Sequence, residues 1–83
     1  MFTPKEAAQR IYDILEKYHF YWLEPEEILE NSDTNQAIEF YGKSYGDPYE
    51  ESIYDVFTTD EIADLKECAR VLKYQLALEV FYD

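Results

Sequence analysis

Five helix-start signals within 83 residues constrain this chain more than any other feature. Thr3-Pro4-Lys5-Glu6 is a capping box with proline at the first helical position, where its missing N–H removes no helix bond. Thr58-Thr59-Asp60-Glu61 is a second box of the S/T-x-x-E form. Asp47-Pro48-Tyr49-Glu50 has the same shape, and Asp33-Thr34-Asn35-Gln36 is a weaker version. Glu24-Pro25-Glu26-Glu27 places proline and acids where a helix N-terminus favours them. Starts at this density predict a mostly helical domain.

Apolar spacing extends two of these starts into long helices. From about Pro4 to Tyr18, the residues Ala7, Ile11, Ile14, Leu15 and Tyr18 share one face at i, i+3, i+4 intervals. From about Thr59 to Phe81, Ile62, Leu65, Ala69, Leu72 and Leu76 form a core stripe. A second stripe begins at Val71 and continues through Tyr74, Leu78 and Phe81; apolar on two sides, such a helix is central to the fold or forms a dimer contact. Shorter helices are expected near residues 25–31, 34–41 and 48–57. The expectation is therefore a single domain, residues 1–83, folded as an all-α bundle of about four to five helices with long first and last members. The middle leaves an alternative open. Ala37–Tyr41 and Ser52–Phe57 are short, rich in β-branched and aromatic residues, and separated by Gly42 and Gly46, so they could pair as a hairpin in an α+β fold.

The chain has enough aromatic mass to fold. Disordered acidic chains are poor in such residues, whereas this one has nine Tyr, five Phe and one Trp. In the run Tyr18-His19-Phe20-Tyr21-Trp22-Leu23, the residues Phe20, Trp22 and Leu23 are expected as core anchors. No stretch approaches the length of a membrane span.

The charge is unevenly placed. Thirteen acids lie between Glu24 and Asp64 with one base, Lys43, so this segment holds the whole formal charge of −12 while both flanks balance. Carboxylates at helix starts each stabilise the dipole by roughly 0.3–1 kcal/mol, which accounts for where many of them sit. It does not account for the scarcity of Lys and Arg, because an ordinary solvated helix mixes both signs and gains i, i+4 pairs. General solubility is the rival explanation for the excess. Concentrated like charge repels itself in the folded state, and a strongly positive partner surface would offset that. Glu26/Glu30, Glu27/Glu30, Glu51/Asp55 and Asp60/Asp64 have helical spacing that sets carboxylates roughly 5–6 Å apart at Cβ, of the order of the distance between successive phosphates of a nucleic-acid strand. Tyr41, Tyr45, Tyr49 and Tyr54 are interleaved with these acids, and tyrosine supplies rigid contact area and faces that accept Arg.

Enzymatic and metal chemistry find little support. One His (His19) and one Cys (Cys68) cannot build a His/Cys zinc site, and Cys68 lies beside the core stripe of the last helix as an inert buried thiol would. Asp33-x-Asn35 begins like a calcium loop, but Ile38 and Ser44 stand where that loop needs Gly and Glu. No Gly-rich phosphate loop occurs. The expectation is a non-enzyme with no cofactor and no metal.

In size, build, helix starts and uncompensated acids, the chain resembles the small DNA-mimicking inhibitors of phages and mobile elements, of anti-CRISPR or anti-restriction type. The resemblance covers residues 24–64 by composition and spacing. It implies a protein that blocks the DNA- or guide-binding groove of a host defence nuclease, working in the host cytoplasm. The expected contact set is Glu26, Glu27, Glu30, Asp47, Glu50, Glu51, Asp55, Asp60 and Asp64, with Tyr45 and Tyr49 adding apolar area. Its partner would be a basic nucleic-acid-binding protein such as a nuclease or CRISPR effector, with no direct contact to nucleic acid or membrane, both of which repel an acidic surface. Two alternatives stay open: an immunity protein or antitoxin against a cognate nuclease toxin, and a helical adaptor or regulatory subunit. The last would use Tyr74, Leu78 and Phe81 for an apolar or homodimer contact.

Overall fold

In the computed structural model, which describes residues 1–83, the chain runs α1 (Pro4–Lys17), α2 (Pro25–Glu30), β1 (Ala37–Gly42), β2 (Tyr49–Ser52), α3 (Ile53–Val56), α4 (Thr59–Leu72) and β3 (Gln75–Tyr82). Both strong capping boxes form. The Thr3 hydroxyl accepts the Glu6 N–H at 3.2 Å while the Glu6 carboxylate accepts the Thr3 N–H at 2.9 Å. Thr58 and Glu61 repeat the exchange at 3.2 and 2.9 Å. Ala7, Ile11, Ile14 and Leu15 of α1 are buried against Leu65, Cys68, Ala69 and Leu72 in one core. Charges close the α1–α4 seam, with Arg10 Nε 2.9 Å from the Asp64 carboxylate and Lys17 Nζ 2.7 Å from that of Glu61. Glu61 also accepts the Tyr18 hydroxyl, so this buried acid is fully satisfied.

The all-α expectation fails at the last element. The helix beginning at Thr59 ends at Leu72, and residues 75–82 form a strand. Its stop is a Schellman turn without glycine: Tyr74 N–H donates to Ala69 O at 2.8 Å and Lys73 N–H to Arg70 O at 3.3 Å, with Lys73 left-handed at φ 58°, ψ 46°. A lysine there costs about 1–2 kcal/mol relative to its right-handed state. Burial of the next residue, Tyr74, offsets it; the Tyr74 hydroxyl donates to Ile28 O at 2.5 Å, and its ring meets Trp22 edge-on at 5.5 Å. The same turn ends α1, where Phe20 N–H reaches Leu15 O at 2.9 Å around left-handed His19.

β3 is the central strand of a three-stranded sheet ordered β1-β3-β2. It runs parallel to β1 (Ala37↔Gln75, Ile38↔Leu76, Phe40↔Val80, Tyr41↔Phe81) and antiparallel to β2 (Tyr49↔Tyr82, Glu50↔Phe81, Glu51↔Val80, Ser52↔Glu79). The expected helices near 34–41 and 48–57 are thus replaced by β1, by β2 and by the single turn of α3. Asp33-Thr34-Asn35-Gln36 does not start a helix, because Asp33 and Asn35 are left-handed and lead into β1. Asp47-Pro48 leads into β2. The alternative hairpin also fails in its pairing, since β1 and β2 lie on opposite edges with β3 between them. Residues 43–48 cross the end of β3, where Ser44 N–H donates to Asp83 O at 2.7 Å and Asp83 N–H to Gly42 O at 3.0 Å.

One sheet face meets the helices. Ile38, Phe40 and Val80 are buried there with Phe20 and Phe57, whose rings lie 5.1–6.2 Å from Phe40. Burying each such side chain is worth roughly 1.5–3 kcal/mol. Phe20 is a core anchor as its sequence context suggested, with Trp22 and Leu23 packed partly buried against the core. No element covers the other sheet face.

Candidate protein-binding face

Strand alternation decides which side chains reach the uncovered face. Glu39 and Tyr41 of β1 point away from the buried Ile38 and Phe40, and Glu79 and Phe81 of β3 point away from the buried Val80. Glu50 of β2 stands opposite Phe81. Each strand therefore contributes one carboxylate to this face. Between them Tyr41 and Phe81 lie ring against ring, centroids 6.0 Å apart and planes 24° from parallel, with 40% and 44% of their surfaces exposed. None of the three strands contains Lys, Arg or His.

The register has one irregularity, and it opens the face further. Between its pairs with Ile38 and Phe40, β3 spends Ala77, Leu78 and Glu79, whereas β1 spends only Glu39. Extra residues of this kind re-aim side chains. Leu78 emerges exposed, and with Glu50, Glu51, Ser52, Tyr54 and Glu79 it lines a shallow groove of about 360 Å³.

The electrostatics of the face are those of crowded acids. A hydrogen bond to the Glu79 carboxyl, followed by its like charge, raises the pKa of Glu50 above the ordinary carboxylate value. The Glu39 charge is the first cause of a raised Tyr41 hydroxyl. Across the molecule, four of the nineteen side-chain carboxylates are ion-paired (Asp33, Glu61, Asp64 and Glu67), leaving fifteen without a basic partner.

The contact set expected from sequence is dispersed. Glu26, Glu27 and Glu30 are exposed on α2, which packs on α1, and Glu27 accepts the Glu24 N–H at 3.2 Å. Asp47 lies in the exposed 43–48 crossing, Asp55 on α3 and Asp60 at the start of α4, all exposed. Asp64 is held by Arg10. Glu50 and Glu51 share the groove on β2. Tyr45 is 97% exposed, whereas Tyr49 stacks on Tyr82 at 4.5 Å. Of the proposed apolar contacts, Leu78 and Phe81 are exposed on β3, but Tyr74 is buried and closed to a second chain. Glu39 and Glu79 were missed altogether. The signal for Glu39 was the alternation Ile38-Glu39-Phe40-Tyr41 in a stretch that also reads as a strand, whereas Glu79 interrupts an apolar run and reaches this face only because residues 75–82 form a strand.

Elsewhere, no three His, Cys, Asp or Glu side chains converge as a metal ion requires. Burial first, then the nearby Asp64 charge, pushes the Cys68 thiol up to about 11, so at neutral pH it remains a protonated core side chain. No helix is long and apolar enough to cross a membrane. No protein-family model matches the chain, and no curated protein or solved structure matches it.

Proposed function

We propose that this protein is an inhibitor that imitates the charge of nucleic acid and occupies the DNA- or guide-binding groove of a basic host nuclease, working in the cytoplasm. The observation that carries the reading is Glu79. Acids on the edge strands β1 and β2 can be understood as protection against edge-to-edge aggregation. Glu79 is on the central strand, where edge protection has no role, and it crowds Glu50 with a like charge that destabilises a sheet. A basic partner relieves that repulsion. The fifteen carboxylates without bases extend the same field over the surface and steer encounter with a positive groove.

The test is capture from bacterial lysate on the tagged protein, eluted with rising salt, with and without competing duplex DNA. A nucleic-acid-binding enzyme released by salt and displaced by DNA is the expected result. The combined substitutions Glu50→Lys, Glu51→Lys and Asp55→Lys should abolish capture while leaving the circular-dichroism spectrum unchanged. A partner indifferent to both salt and DNA would overturn the reading.

A further inference from the structure

We infer that the uncovered sheet face is a docking surface for arginine side chains of a partner protein, and that it selects guanidinium over ammonium. The inference rests on this face being where the partner binds, but not on the partner's identity.

The argument is one of shape and charge. Tyr41 and Phe81 form a stacked pair of rings, each partly open to solvent, so that an aromatic surface is available beside the carboxylates. Glu39 stands at the β1 side of that surface, while Glu50 and Glu79 stand on β2 and β3. A guanidinium is planar and weakly hydrated, so it can stack on a ring while its N–H fork engages an adjacent carboxylate in two parallel bonds. An ammonium is a compact, strongly hydrated point charge that gains the carboxylate but little from the ring. Glu79 crowds Glu50 closely enough to raise its pKa, and an arriving guanidinium relieves that like-charge repulsion.

Charge complementarity also rejects other occupants. A second copy would set Glu39, Glu50 and Glu79 against their counterparts, with no base on any strand and −12 on each chain. Nucleic acid and anionic lipid are repelled for the same reason.

The experiment is an NMR titration of the ¹⁵N-labelled protein with two Gly–Ser peptides of equal length and charge, one carrying arginine and the other lysine at the same positions. In about 150 mM salt, where distant charges are screened, the arginine peptide should bind about three- to tenfold more tightly. It should shift the amides of residues 39–41, 50–51 and 79–81. Phe81→Thr and, separately, Tyr41→Thr should reduce the arginine peptide to the affinity of the lysine peptide. Tyr41 is on an edge strand, so its variant serves if Phe81→Thr does not fold, and the dispersed amides of Ile38 and Val80 report folding in each. Equal affinities for the two peptides, or shifts confined to α2 and the start of α4, would overturn the inference. So would dilution-dependent shifts at residues 39–41 and 79–81 without peptide, which identify a second copy as the occupant. Loss of the arginine preference alongside intact DNA-displaceable capture removes this inference only; the reverse pattern removes the proposed target and leaves the docking surface.

Discussion

Replacing Glu61 by Gln removes one buried charge while keeping its shape. Glu61 is 4% exposed at the α1–α4 seam. Burial works to raise its pKa, but hydrogen bonds from Lys17, Tyr18 and Thr58 outweigh that and bring it from 4.5 to about 2. The hydrogen bond to Glu61 raises Lys17 in turn; its side chain is 61% exposed, so water screens that partner and the coupling registers chiefly at the carboxylate. At roughly 1.36 kcal/mol per pH unit, a fall from 4.5 to about 2 corresponds to about 3 kcal/mol of stability at neutral pH. The depressed pKa belongs to the folded state. The stabilisation is therefore complete above about pH 4.5 and is lost as pH falls through about 2. Glutamine still serves the third position of the capping box, so the helix start survives. Urea unfolding followed by circular dichroism should find the Gln variant about 2–3 kcal/mol less stable at pH 7. At pH 2 the ionised form should contribute no more than about 0.5 kcal/mol. Acid also relieves repulsion among the other carboxylates, but equally in both proteins, so their difference isolates Glu61. A gap of the same size at pH 7 and pH 2, or none at pH 7, would refute the reasoning.

Three further outcomes are expected. Gly42→Ala should destabilise by about 1–3 kcal/mol, since its Cβ would sit 3.0 Å from carbons of the Phe20 and Tyr82 rings, whereas Gly46→Ala, with nothing within 4 Å, should stay within about 0.5 kcal/mol by the same urea measurement. Tyr74→Phe should cost about 1–2 kcal/mol by orphaning the buried Ile28 carbonyl, and should leave partner capture unchanged; weakened capture would place Tyr74 in the interface after all. Raising sodium chloride from about 10 to about 500 mM should raise the melting temperature by several degrees, because screening relieves the self-repulsion of a −12 chain; a flat or falling curve would mean the acids do not repel appreciably in the folded state.

Legibility varied with the range of the interactions involved. α1 could be read almost to the residue because its box, its apolar face and its neighbours all favour helix within one short window. α4 was read correctly at its start and wrongly at its end. Leu76, Ala77 and Leu78 are good helix formers, and Lys73 holds a position that usually advertises itself as glycine. Asp47-Pro48 suits a strand entry as well as a helix start, and nothing local separates the two. In the candidate site, Glu50, Glu51, Leu78 and Phe81 were named from the sequence, but Leu78 and Phe81 were placed on a helix face and Glu39 and Glu79 were overlooked.

Local chemistry in the sequence was enough to determine the capped starts of α1 and α4, an aromatic core around Phe20, and an acid excess without bases to match. These depend on residues within a few positions of one another, or on composition alone. The fate of residues 75–82, the order β1-β3-β2 and the meeting of Tyr41, Phe81, Glu39, Glu50 and Glu79 on one face were decided only in three dimensions. The backbone groups of β3 find their partners some forty residues back on β1 and about thirty back on β2, as in Ala37↔Gln75 and Glu50↔Phe81. No local propensity encodes a pairing of that range, and once it forms, the two-residue alternation of the strand selects which carboxylates stand together.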